Sequence, residues 1–535
     1  MTQEYRQTGC LIGLLDERVR RLPDANFVTF ADTDLSAAAL QDRVRRVAAG
    51  LADRQIGRGD IVAILAAYRL PVLDHVFALS SLGAICAPLN VHLRGEALAH
   101  QLIDSNARAV VVDAATAQVV EPLMADLPGV ELLILVEGEV PASAHPEKWC
   151  RHEDLLAAPE GRGPVELDWN DPAAILYTSG TTGAPKGCLI NHHALHRGGA
   201  IIVEPLGLSR DDIYLTVAPL YHAAAFMTLV SALVADAALV VEAGFSASGF
   251  MRRAAETAAT LSLGVGFLGM ALLGQPAGAH DRSHNLRLCA FAPLAPEVQR
   301  AFEDRFGAQC LGEMYGQTEC AAVAMSSVVG ARKRDTHGRV LPDMEVRAMS
   351  ETGEFLPAGE LGELVVRALA PGVFFSGYWK QSAASDAKIR DGWLRTGDLG
   401  KVDRDGFLTF FDRKADFLRR RGENVSAFQV ERALLQYEAI SEAAVFGVHV
   451  AGEVDDMIHA VVVAAGALDP ADLHRHLAAV LPYFAVPRFI ESADALPRNA
   501  SGRVMKHLLK ARETKGPVVD FEALGLLRQA RRSTG

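Results

Sequence analysis

The sequence predicts an α/β protein: a large N-terminal domain of layered α/β subdomains, followed by a small α+β C-terminal domain. Apolar, β-rich runs alternate with helical stretches through most of the chain, which is typical of helices packed on largely parallel sheets. Between 339 and 400, short strands with Gly and Pro turns replace this pattern and indicate a small barrel-like piece. A chain of 535 residues is also too long for one hydrophobic core.

The N-terminal domain is predicted to contain two apolar helices and several short strands. One helix occupies 71–82 and ends before Gly83. The other occupies 223–235, a run that is too short to span a bilayer. Short β-rich runs predict strands at 61–66, 109–112, 217–220, 238–242 and 286–291.

A domain boundary is predicted near 412–416, which divides the chain into 1–413 and 414–535. The second part has about 120 residues, a plausible size for a separate domain. Apolar residues at 517–535 have the spacing of a short helix. The other predicted elements are a helix at 427–437, strands at 443–448 and 458–464, and a helix at 470–481.

Charge and cysteine content argue against several classes of protein. The net charge of −12 disfavours a general nucleic-acid-binding protein, which would carry a basic face. The seven cysteines form no Cys-x-x-Cys pair and are odd in number, so neither a disulfide framework nor a zinc site is indicated. The cytoplasm, a reducing compartment, is therefore expected. No apolar run is long enough for a transmembrane helix.

The most informative segment is the loop that follows the apolar run 173–177. Its hydroxyl side chains, and glycines that let backbone N–H groups turn inward, can together bind anionic oxygens. Lys186 closes the loop with a mobile positive charge, which suits a phosphate that moves or leaves. The pattern is not a P-loop, because Pro185 and Gly187 flank the lysine. The predicted phosphate-binding residues are Thr178, Ser179, Gly180, Thr181, Thr182, Gly183 and Lys186.

This loop resembles the phosphate-binding signature of the adenylate-forming superfamily, which includes acyl-CoA synthetases, adenylation domains and beetle luciferases. The superfamily consensus is close to Tyr-Thr-Ser-Gly-Thr-Thr-Gly-x-Pro-Lys-Gly, and 177–187 matches every fixed position. The segments 212–219 and 421–426 look most like the carnitine/crotonobetaine-CoA ligase branch. The resemblance implies a mobile C-terminal domain that rotates between two half-reactions.

A second motif, at 312–319, resembles the superfamily's Tyr-Gly-x-Thr-Glu segment. The resemblance implies that Tyr315 stacks on adenine, Thr318 contacts phosphate and Glu319 holds Mg²⁺. Such a hard cation prefers oxygen ligands and commonly shares them between a carboxylate and substrate phosphates. The nucleotide-binding residues implied here are Glu313, Met314, Tyr315, Gly316, Gln317 and Thr318.

Two further segments are similar to nucleotide-binding motifs of the superfamily. Asp398, in Leu-Arg-Thr-Gly-Asp, occupies the position whose carboxylate accepts hydrogen bonds from both ribose hydroxyls. Arg413 corresponds to a second ribose or phosphate contact. Ala292 and Pro293 resemble the Gly-Ala-Pro segment beside adenine, although Phe291 stands where glycine is usual.

The carboxylic acid is expected to bind in an apolar pocket. His222, in Ala-Pro-Leu-Tyr-His, matches a superfamily histidine beside the carboxylate being activated. The stretch 264–269 is a formal Gly-x-Gly-x-x-Gly, but no acid follows where a dinucleotide-binding fold needs one. The superfamily resemblance instead implies that it lines the acyl pocket. The predicted substrate-binding residues are His222, Phe226, Gly264, Gly266 and Phe267.

Basic residues after the domain boundary suit an acceptor that carries phosphates. The stretch 419–425 resembles the superfamily loop that completes the thioester-forming site and its CoA channel. Arginine recognises phosphate through charge-assisted hydrogen bonds. The resemblance therefore implies that Arg421, Gly422 and Glu423 contact CoA.

The closing motif departs from the superfamily pattern. There a lysine directly follows a Ser-Gly or Thr-Gly pair and stabilises charge as the adenylate forms. This chain has Arg503 at that position and Lys506 three residues later. Arginine keeps the charge but not the shape or reach of lysine. Either Arg503 or Lys506 is expected to supply the catalytic cation; otherwise the first half-reaction is weak.

These motifs predict an ATP-dependent acyl-CoA synthetase. ATP and a carboxylic acid would give an acyl-adenylate and pyrophosphate, and CoA would then take the acyl group and release AMP. The cofactors are ATP, Mg²⁺ and CoA, and dimers are common among relatives, so a homodimer is one expectation. Two alternatives stay open: a stand-alone enzyme that loads a carrier protein, and a nucleotide- or acyl-binding protein with degraded chemistry. The predicted catalytic residues are Lys186, His222, Arg503 and Lys506.

Overall fold

The computed structural model confirms the predicted fold class, with mixed α/β sheets in a large N-terminal part and a smaller C-terminal one. It describes residues 9–31, 33–143, 145–159, 161, 163–178, 185–413, 418–420, 423–425, 427–448, 457–498, 504–512 and 516–529.

The strands of the described residues are β1 Asn26–Phe30, β2 Thr33–Ser36, β3 Ile61–Leu65, β4 Ile85–Pro88, β5 Ala109–Val112, β6 Leu132–Leu135, β7 Trp149–Arg151, β8 Pro172–Thr178, β9 Lys186–Asn191, β10 Ile213–Thr216, β11 Ala238–Val241, β12 Leu261–Val265, β13 Leu288–Ala292, β14 Gln309–Leu311, β15 Met314–Gln317, β16 Ala321–Met325, β17 Arg339–Val340, β18 Met344–Met349, β19 Gly362–Ala368, β20 Ile389–Arg390, β21 Trp393–Val402, β22 Leu408–Arg413, β23 Leu418–Arg420, β24 Glu423–Val425, β25 Ile440–Val448, β26 Met457–Ala464, β27 Phe489–Ser492 and β28 Val518–Asp520.

The α-helices are α1 Leu11–Arg21, α2 Ala37–Asp53, α3 Leu70–Leu82, α4 Gly95–Ser105, α5 Ala114–Val120, α6 His152–Leu156, α7 His192–Ala200, α8 Ala223–Ala235, α9 Phe250–Glu256, α10 Gly266–Leu273, α11 Pro296–Phe306, α12 Ser382–Lys388, α13 Ala427–Leu435, α14 Pro470–Val480, α15 Lys506–Ala511 and α16 Leu526–Gln529. Short 3₁₀ helices lie at Glu121–Asp126 and Pro146–Lys148.

Two seven-stranded sheets form most of the N-terminal part, in the orders β7-β6-β5-β3-β4-β8-β9 and β14-β13-β12-β10-β11-β1-β2. Each sheet is parallel except at one edge, where β8 pairs antiparallel with β9 and β1 with β2. Every residue of β3 and β5 is buried, as expected for strands covered on both faces. The helices α3 and α8 are apolar and largely buried, and α3 ends at Gly83, whose φ of +68° suits glycine.

The stretch predicted to be barrel-like forms an antiparallel sheet of β18, β19, β21, β20 and β22. The long strand β21 pairs with β19 on one side and with β22 on the other. The second pairing sets Asp398 directly opposite Arg413. A short antiparallel sheet of β15, β16 and β17 lies before it in the chain and carries Tyr315.

The C-terminal part has a sheet in the order β25-β26-β27-β28 and a hydrophobic core of its own. Residues of α13 and α14, among them Leu434 and Leu477, pack there against Val445 and Ile458 of the sheet. Within the described residues, no helix is both long and apolar enough to cross a membrane.

The strand predicted at 217–220 is wrong, because β10 ends at Thr216. Pro219 has no N–H to donate to a neighbouring strand, and its carbonyl instead accepts the N–H of His222 at 3.0 Å. This turn leads directly into α8. Within 517–535, where a short helix is predicted, the described helix is Leu526–Gln529, and strand β28 precedes it. The other predicted elements are present with ends shifted by a few residues.

Candidate active site

Lys186 is the first residue of β9 and lies opposite Thr178, the last residue of β8. The Thr178 hydroxyl donates to the Lys186 carbonyl at 3.3 Å. This antiparallel pair fixes both ends of the predicted phosphate loop. Ser179, Gly180, Thr181, Thr182 and Gly183, which complete that loop, lie outside the described residues.

The ammonium of Lys186 lies 5.0 Å from the ring centroid of Tyr378. The next residue, Gly187, allows close packing here, since a Cβ on it would lie 2.8 Å from Ile175 Cγ2. Its carbonyl accepts the N–H of Trp379 at 2.7 Å. The backbone around 377–379 therefore runs directly beside the lysine.

Glu319, the predicted metal ligand, is 8% exposed. The Tyr378 hydroxyl donates to its Oε1 at 2.6 Å, and Lys388 Nζ lies 3.6 Å from the same oxygen. Among the described residues, no hydrogen bond reaches Oε2. A carboxylate oxygen without a hydrogen-bond partner suits the predicted Mg²⁺ ligand, since Mg²⁺ commonly takes one or two protein carboxylates and completes its shell with phosphates and water.

Asp398 and Tyr315 meet in a buried network. Asp398 is 2% exposed. Its Oδ2 accepts hydrogen bonds from the Tyr315 hydroxyl at 2.7 Å and from Gln317 Nε2 at 2.6 Å. Burial, and then the Asp398 charge, raise the pKa of Tyr315, so the phenol keeps its proton and donates. Lys388 Nζ donates to Gln317 Oε1 at 2.9 Å, which links this network to Glu319.

The second oxygen of Asp398, Oδ1, is buried and accepts no hydrogen bond from any described residue. Arg413 Nε lies 3.2 Å away as an ion-pair partner, but not in hydrogen-bonding geometry. Buried polar atoms are usually satisfied, so Oδ1 fits an acceptor for a ligand hydroxyl. Oδ1 is thus the oxygen that suits the predicted ribose contact, since Oδ2 already accepts from Tyr315 and Gln317.

Substitution Asp398→Asn is expected to raise the KM for ATP by roughly 10- to 100-fold, because a charged hydrogen bond of about 1.5–3 kcal/mol is lost. Steady-state kinetics with varied ATP would measure the change. Asp403→Asn is the matched control, since Asp403 pairs with Lys333 at the end of the same strand pair. An unchanged KM for Asp398→Asn would contradict the ribose role.

The residues around Tyr315 differ in what they can offer a nucleotide. The Glu313 carboxylate is buried and held by Arg332, with Nη2 3.0 Å from Oε2. Its side chain is therefore committed to a structural ion pair. Met314 is half-buried beside the main core. Gly316 is required by packing, since a Cβ there would lie 2.1 Å from the Ala321 carbonyl oxygen.

Ala292 is the last residue of β13 and is joined to Pro293 by a cis peptide bond. Phe291, which replaces the usual glycine, is fully buried. Its ring packs edge-on against Phe250 and Phe302, at centroid distances of 6.3 and 5.8 Å. The aromatic residue therefore belongs to the hydrophobic core between this sheet and its helices.

Gly264 and Gly266 are explained by close packing. A Cβ on Gly266 would lie 1.9 Å from the Pro293 carbonyl oxygen, and one on Gly264 would lie 2.3 Å from Leu268 Cδ1. The turn from β12 into α10 thus packs tightly on the 292–293 segment. Phe267, the next residue of this helix, is 68% exposed.

His222 immediately precedes α8, which carries Phe226. Burial lowers the pKa of His222, so the imidazole is neutral around pH 7. An apolar cavity lies between α7, α8 and β16, and Thr318 and Glu319 line it together with Phe226. The structure thus brings Phe226 to the metal-binding motif, whereas Phe267 lies on the separate helix α10.

The remaining predicted residues belong to the C-terminal part. Arg421, Gly422 and Arg503 lie outside the described residues, and of Glu423 only its place at the start of β24 is described. Lys506 Nζ pairs with Glu431 Oε1 at 2.8 Å, and both side chains are less than one-fifth exposed. Glu431 Oε1 also accepts the N–H of Val445 at 2.8 Å. Lys506 is therefore engaged inside the C-terminal domain.

Two family models match successive parts of the chain, one before and one after the predicted domain boundary. The model described as AMP-binding enzyme matches residues 15–379, and the model described as AMP-binding enzyme C-terminal domain matches 429–503. The chain belongs to the AMP-binding enzyme family. The predicted resemblance to the adenylate-forming superfamily is thereby confirmed.

Two curated relatives and one solved structure illustrate the similarity. A feruloyl-CoA synthase of Amycolatopsis is 32% identical over 503 residues, covering 92% of this chain and 97% of that protein. A crotonobetaine/carnitine–CoA ligase of Salmonella paratyphi B is 30% identical over 482 residues, covering 89% and 93%. ATP-bound MatB from Rhodopseudomonas palustris has a TM-score of 0.83 at 26% identity, covering 94% of this chain and 98% of that one.

The predicted type of reaction, activation of a carboxylic acid by ATP and its transfer to CoA, is confirmed. This AMP-binding enzyme is an ATP-dependent acyl-CoA synthetase that works through an acyl-adenylate and uses ATP and CoA. Sequence reasoning missed Tyr378 and Lys388, which both contact Glu319. No local pattern marks them, because the tyrosine lies 59 residues from the glutamate in the chain.

Proposed function

We propose that this enzyme converts an apolar monocarboxylic acid to its CoA thioester, with Lys186, Glu319 and Asp398 as the centre of its ATP site. In the first half-reaction an oxygen of the acid attacks the α-phosphorus, and pyrophosphate leaves with the electrons of the broken P–O bond. In the second, the deprotonated CoA sulfur attacks the acyl carbon and AMP leaves. The observation that supports this most is the series of contacts that joins Lys186, Glu319 and Asp398 through Tyr378, Lys388 and Gln317.

Each side chain in this series has a role that suits its chemistry. Lys186 supplies a positive charge for the phosphates as negative charge develops on them. Glu319 would hold Mg²⁺ through its carboxylate, and the bound cation would neutralise phosphate charge. Asp398 accepts from the ribose, and Tyr315 lies beside it with its hydroxyl committed to that carboxylate.

His222 is proposed to orient the substrate carboxylate through a hydrogen bond rather than to form an ion pair with it. Because burial keeps its imidazole neutral, it can donate one hydrogen bond without acting as a counter-ion. This role leaves the acid oxygen with its negative charge, which the attack on phosphorus requires.

Arg503 is the preferred candidate for the cation of the closing motif. Lys506, the alternative, forms a largely buried pair with Glu431, and its withdrawal would leave that carboxylate without a counter-ion. The residue that follows Ser-Gly in the sequence is Arg503. An arginine there still carries the positive charge that the superfamily lysine would supply.

The proposed domains are 1–413 and 414–535, and the second is proposed to rotate between the half-reactions. The separate hydrophobic core of the C-terminal part supports this division. A contact across the boundary is polar, with Arg432 of α13 3.0 Å from Glu297 of α11. Exposed ion pairs are weak, so such a contact would not oppose rotation strongly.

The character of the cavity beside Glu319 supports an apolar acyl group. Of the described residues that line it, only Glu319 is charged, and the rest of the wall includes Leu195, Phe226, Met227 and Phe375. A second charge on the acid would have no counter-ion there.

The test is acid-dependent ATP–pyrophosphate exchange with a panel of fatty, aromatic, dicarboxylic and betaine acids. We expect exchange with apolar monocarboxylic acids and at least tenfold less with dicarboxylic or betaine acids. Thioester formation on CoA and on a phosphopantetheine-bearing carrier protein should then be compared. Preference for the carrier would refute the CoA acceptor, and exchange with no acid despite ATP binding would refute the activity.

A homodimer and a cytoplasmic location are also proposed. All seven cysteines are buried thiols and none forms a disulfide, which supports a reducing compartment. Light scattering of the purified chain would measure its mass in solution. A mass of one chain would contradict the dimer.

A further inference from the structure

Tyr378 contacts both charged groups of the proposed phosphate site. Its hydroxyl donates to Glu319 Oε1 at 2.6 Å, and the Lys186 ammonium lies over its ring at 5.0 Å. Lys186 is the first residue of β9, whereas Glu319 belongs to another motif and lies in the turn between β15 and β16. Tyr378 belongs to neither motif.

The backbone of Tyr378 is fixed to the strand that carries Lys186. The N–H of Trp379 donates to the Gly187 carbonyl at 2.7 Å, and the N–H of Leu189 donates to the Gly377 carbonyl at 2.9 Å. These bonds flank Tyr378 on both sides. The ring is therefore held beside β9 by main-chain bonds and does not depend on side-chain packing alone.

The same segment is also bonded to Glu319. The N–H of Phe375 donates to the Glu319 carbonyl at 2.9 Å, and the rings of Phe375 and Tyr378 pack edge-on at 4.9 Å. The Tyr378 hydroxyl donates to the Glu319 side chain, so this segment is bonded to both the backbone and the carboxylate of Glu319.

The two contacts of Tyr378 leave one side-chain oxygen of Glu319 and the N–H donors of Lys186 available to a ligand. The Tyr378 hydroxyl donates to Oε1 of Glu319, and among the described residues Oε2 accepts no hydrogen bond. A ring face attracts an ammonium without using any of its three N–H donors. The Lys186 donors therefore stay available for phosphate.

We propose that Tyr378 is a positioning residue that holds the Glu319 carboxylate and the Lys186 ammonium at a set separation for one Mg²⁺–ATP. The inference rests on the proposed roles of Glu319 and Lys186. Groups that orient a metal ligand commonly change metal affinity by about 10- to 100-fold when they are removed. The hydroxyl and the ring have separable effects, since one contacts Glu319 and the other Lys186.

The test is calorimetric binding of the non-hydrolysable analogue α,β-methylene-ATP at varied Mg²⁺. For Tyr378→Phe, which keeps the ring, we expect the Mg²⁺ concentration for half-maximal binding to rise about tenfold. Affinity at saturating Mg²⁺ should stay within about threefold of the parent. Tyr378→Leu also removes the ring, so analogue affinity at saturating Mg²⁺ should fall further, by several-fold.

Two variants separate this inference from its premise. Tyr437→Phe removes a similar hydroxyl–carboxylate bond, to Asp472 at 2.9 Å in the C-terminal domain, and should leave the Mg²⁺ requirement unchanged. Glu319→Gln should raise the Mg²⁺ requirement at least as much as Tyr378→Phe. A shift for Glu319→Gln with none for Tyr378→Phe overturns the inference alone. No shift for Glu319→Gln refutes the metal role, and an equal shift for Tyr437→Phe overturns a specific role of Tyr378.

Discussion

Replacement of Lys186 by alanine is expected to lower acid-dependent ATP–pyrophosphate exchange by about 100- to 1,000-fold, the usual effect of removing one preorganised group that stabilises transition-state charge. Lys186 is positioned for this role by the β8–β9 pair at the end of the phosphate loop. In the described part of the chain its ammonium forms no ion pair and lies over the Tyr378 ring. Exchange at saturating ATP and acid would measure the loss.

Two variants control this prediction. Lys380→Ala removes a nearby lysine whose ammonium contacts Asn106 Oδ1 at 2.8 Å, and it should retain exchange close to that of the parent. Lys186→Arg keeps the charge but changes its shape, so an intermediate rate is expected. Lys186→Ala with parental exchange would exclude a phosphate role for this lysine.

Substitutions of the two cations of the closing motif are expected to affect different properties: catalysis for Arg503 and stability for Lys506. Arg503→Met should lower pyrophosphate exchange by about 100-fold and leave thermal unfolding unchanged. Lys506→Met should instead destabilise the C-terminal domain by about 3 kcal/mol, because it leaves Glu431 buried without its counter-ion. That loss corresponds to a fall of roughly 10 °C in the unfolding midpoint of a domain of this size.

Calorimetry and exchange on the same two preparations would measure both effects. Glu431→Gln combined with Lys506→Met removes both charges and should recover part of the lost stability, since no unpaired charge remains. A stable Lys506→Met variant without exchange, beside an active Arg503→Met variant, would assign the catalytic cation to Lys506.

The short, strongly apolar elements were the most predictable part of the fold. The helix predicted at 223–235 is Ala223–Ala235, and the strand predicted at 109–112 is Ala109–Val112. The strand predicted at 217–220 failed, because an apolar composition does not reveal that Pro219 ends the ladder. Strand order is also invisible in the sequence, since it depends on pairings between distant segments.

In the candidate site, the motifs could be predicted but the state of each side chain could not. Asp398 and Tyr315 were both singled out, yet their 2.7 Å hydrogen bond depends on how β21 lies against β15. The sequence alone offers Lys506 as a candidate catalytic cation, whereas in the structure its ammonium forms an ion pair with Glu431.

The sequence by itself determined the family and the reaction and predicted the residue types of the ATP site, because a phosphate loop and its companion motifs are local patterns of hydroxyls, glycines and charges. The tertiary structure alone decided which of those groups are free and which are engaged. It joined Tyr378 to Glu319 and Lys186, and it paired Lys506 with Glu431. Such contacts arise when distant strands and helices pack together, and no short stretch of sequence carries a signal for them.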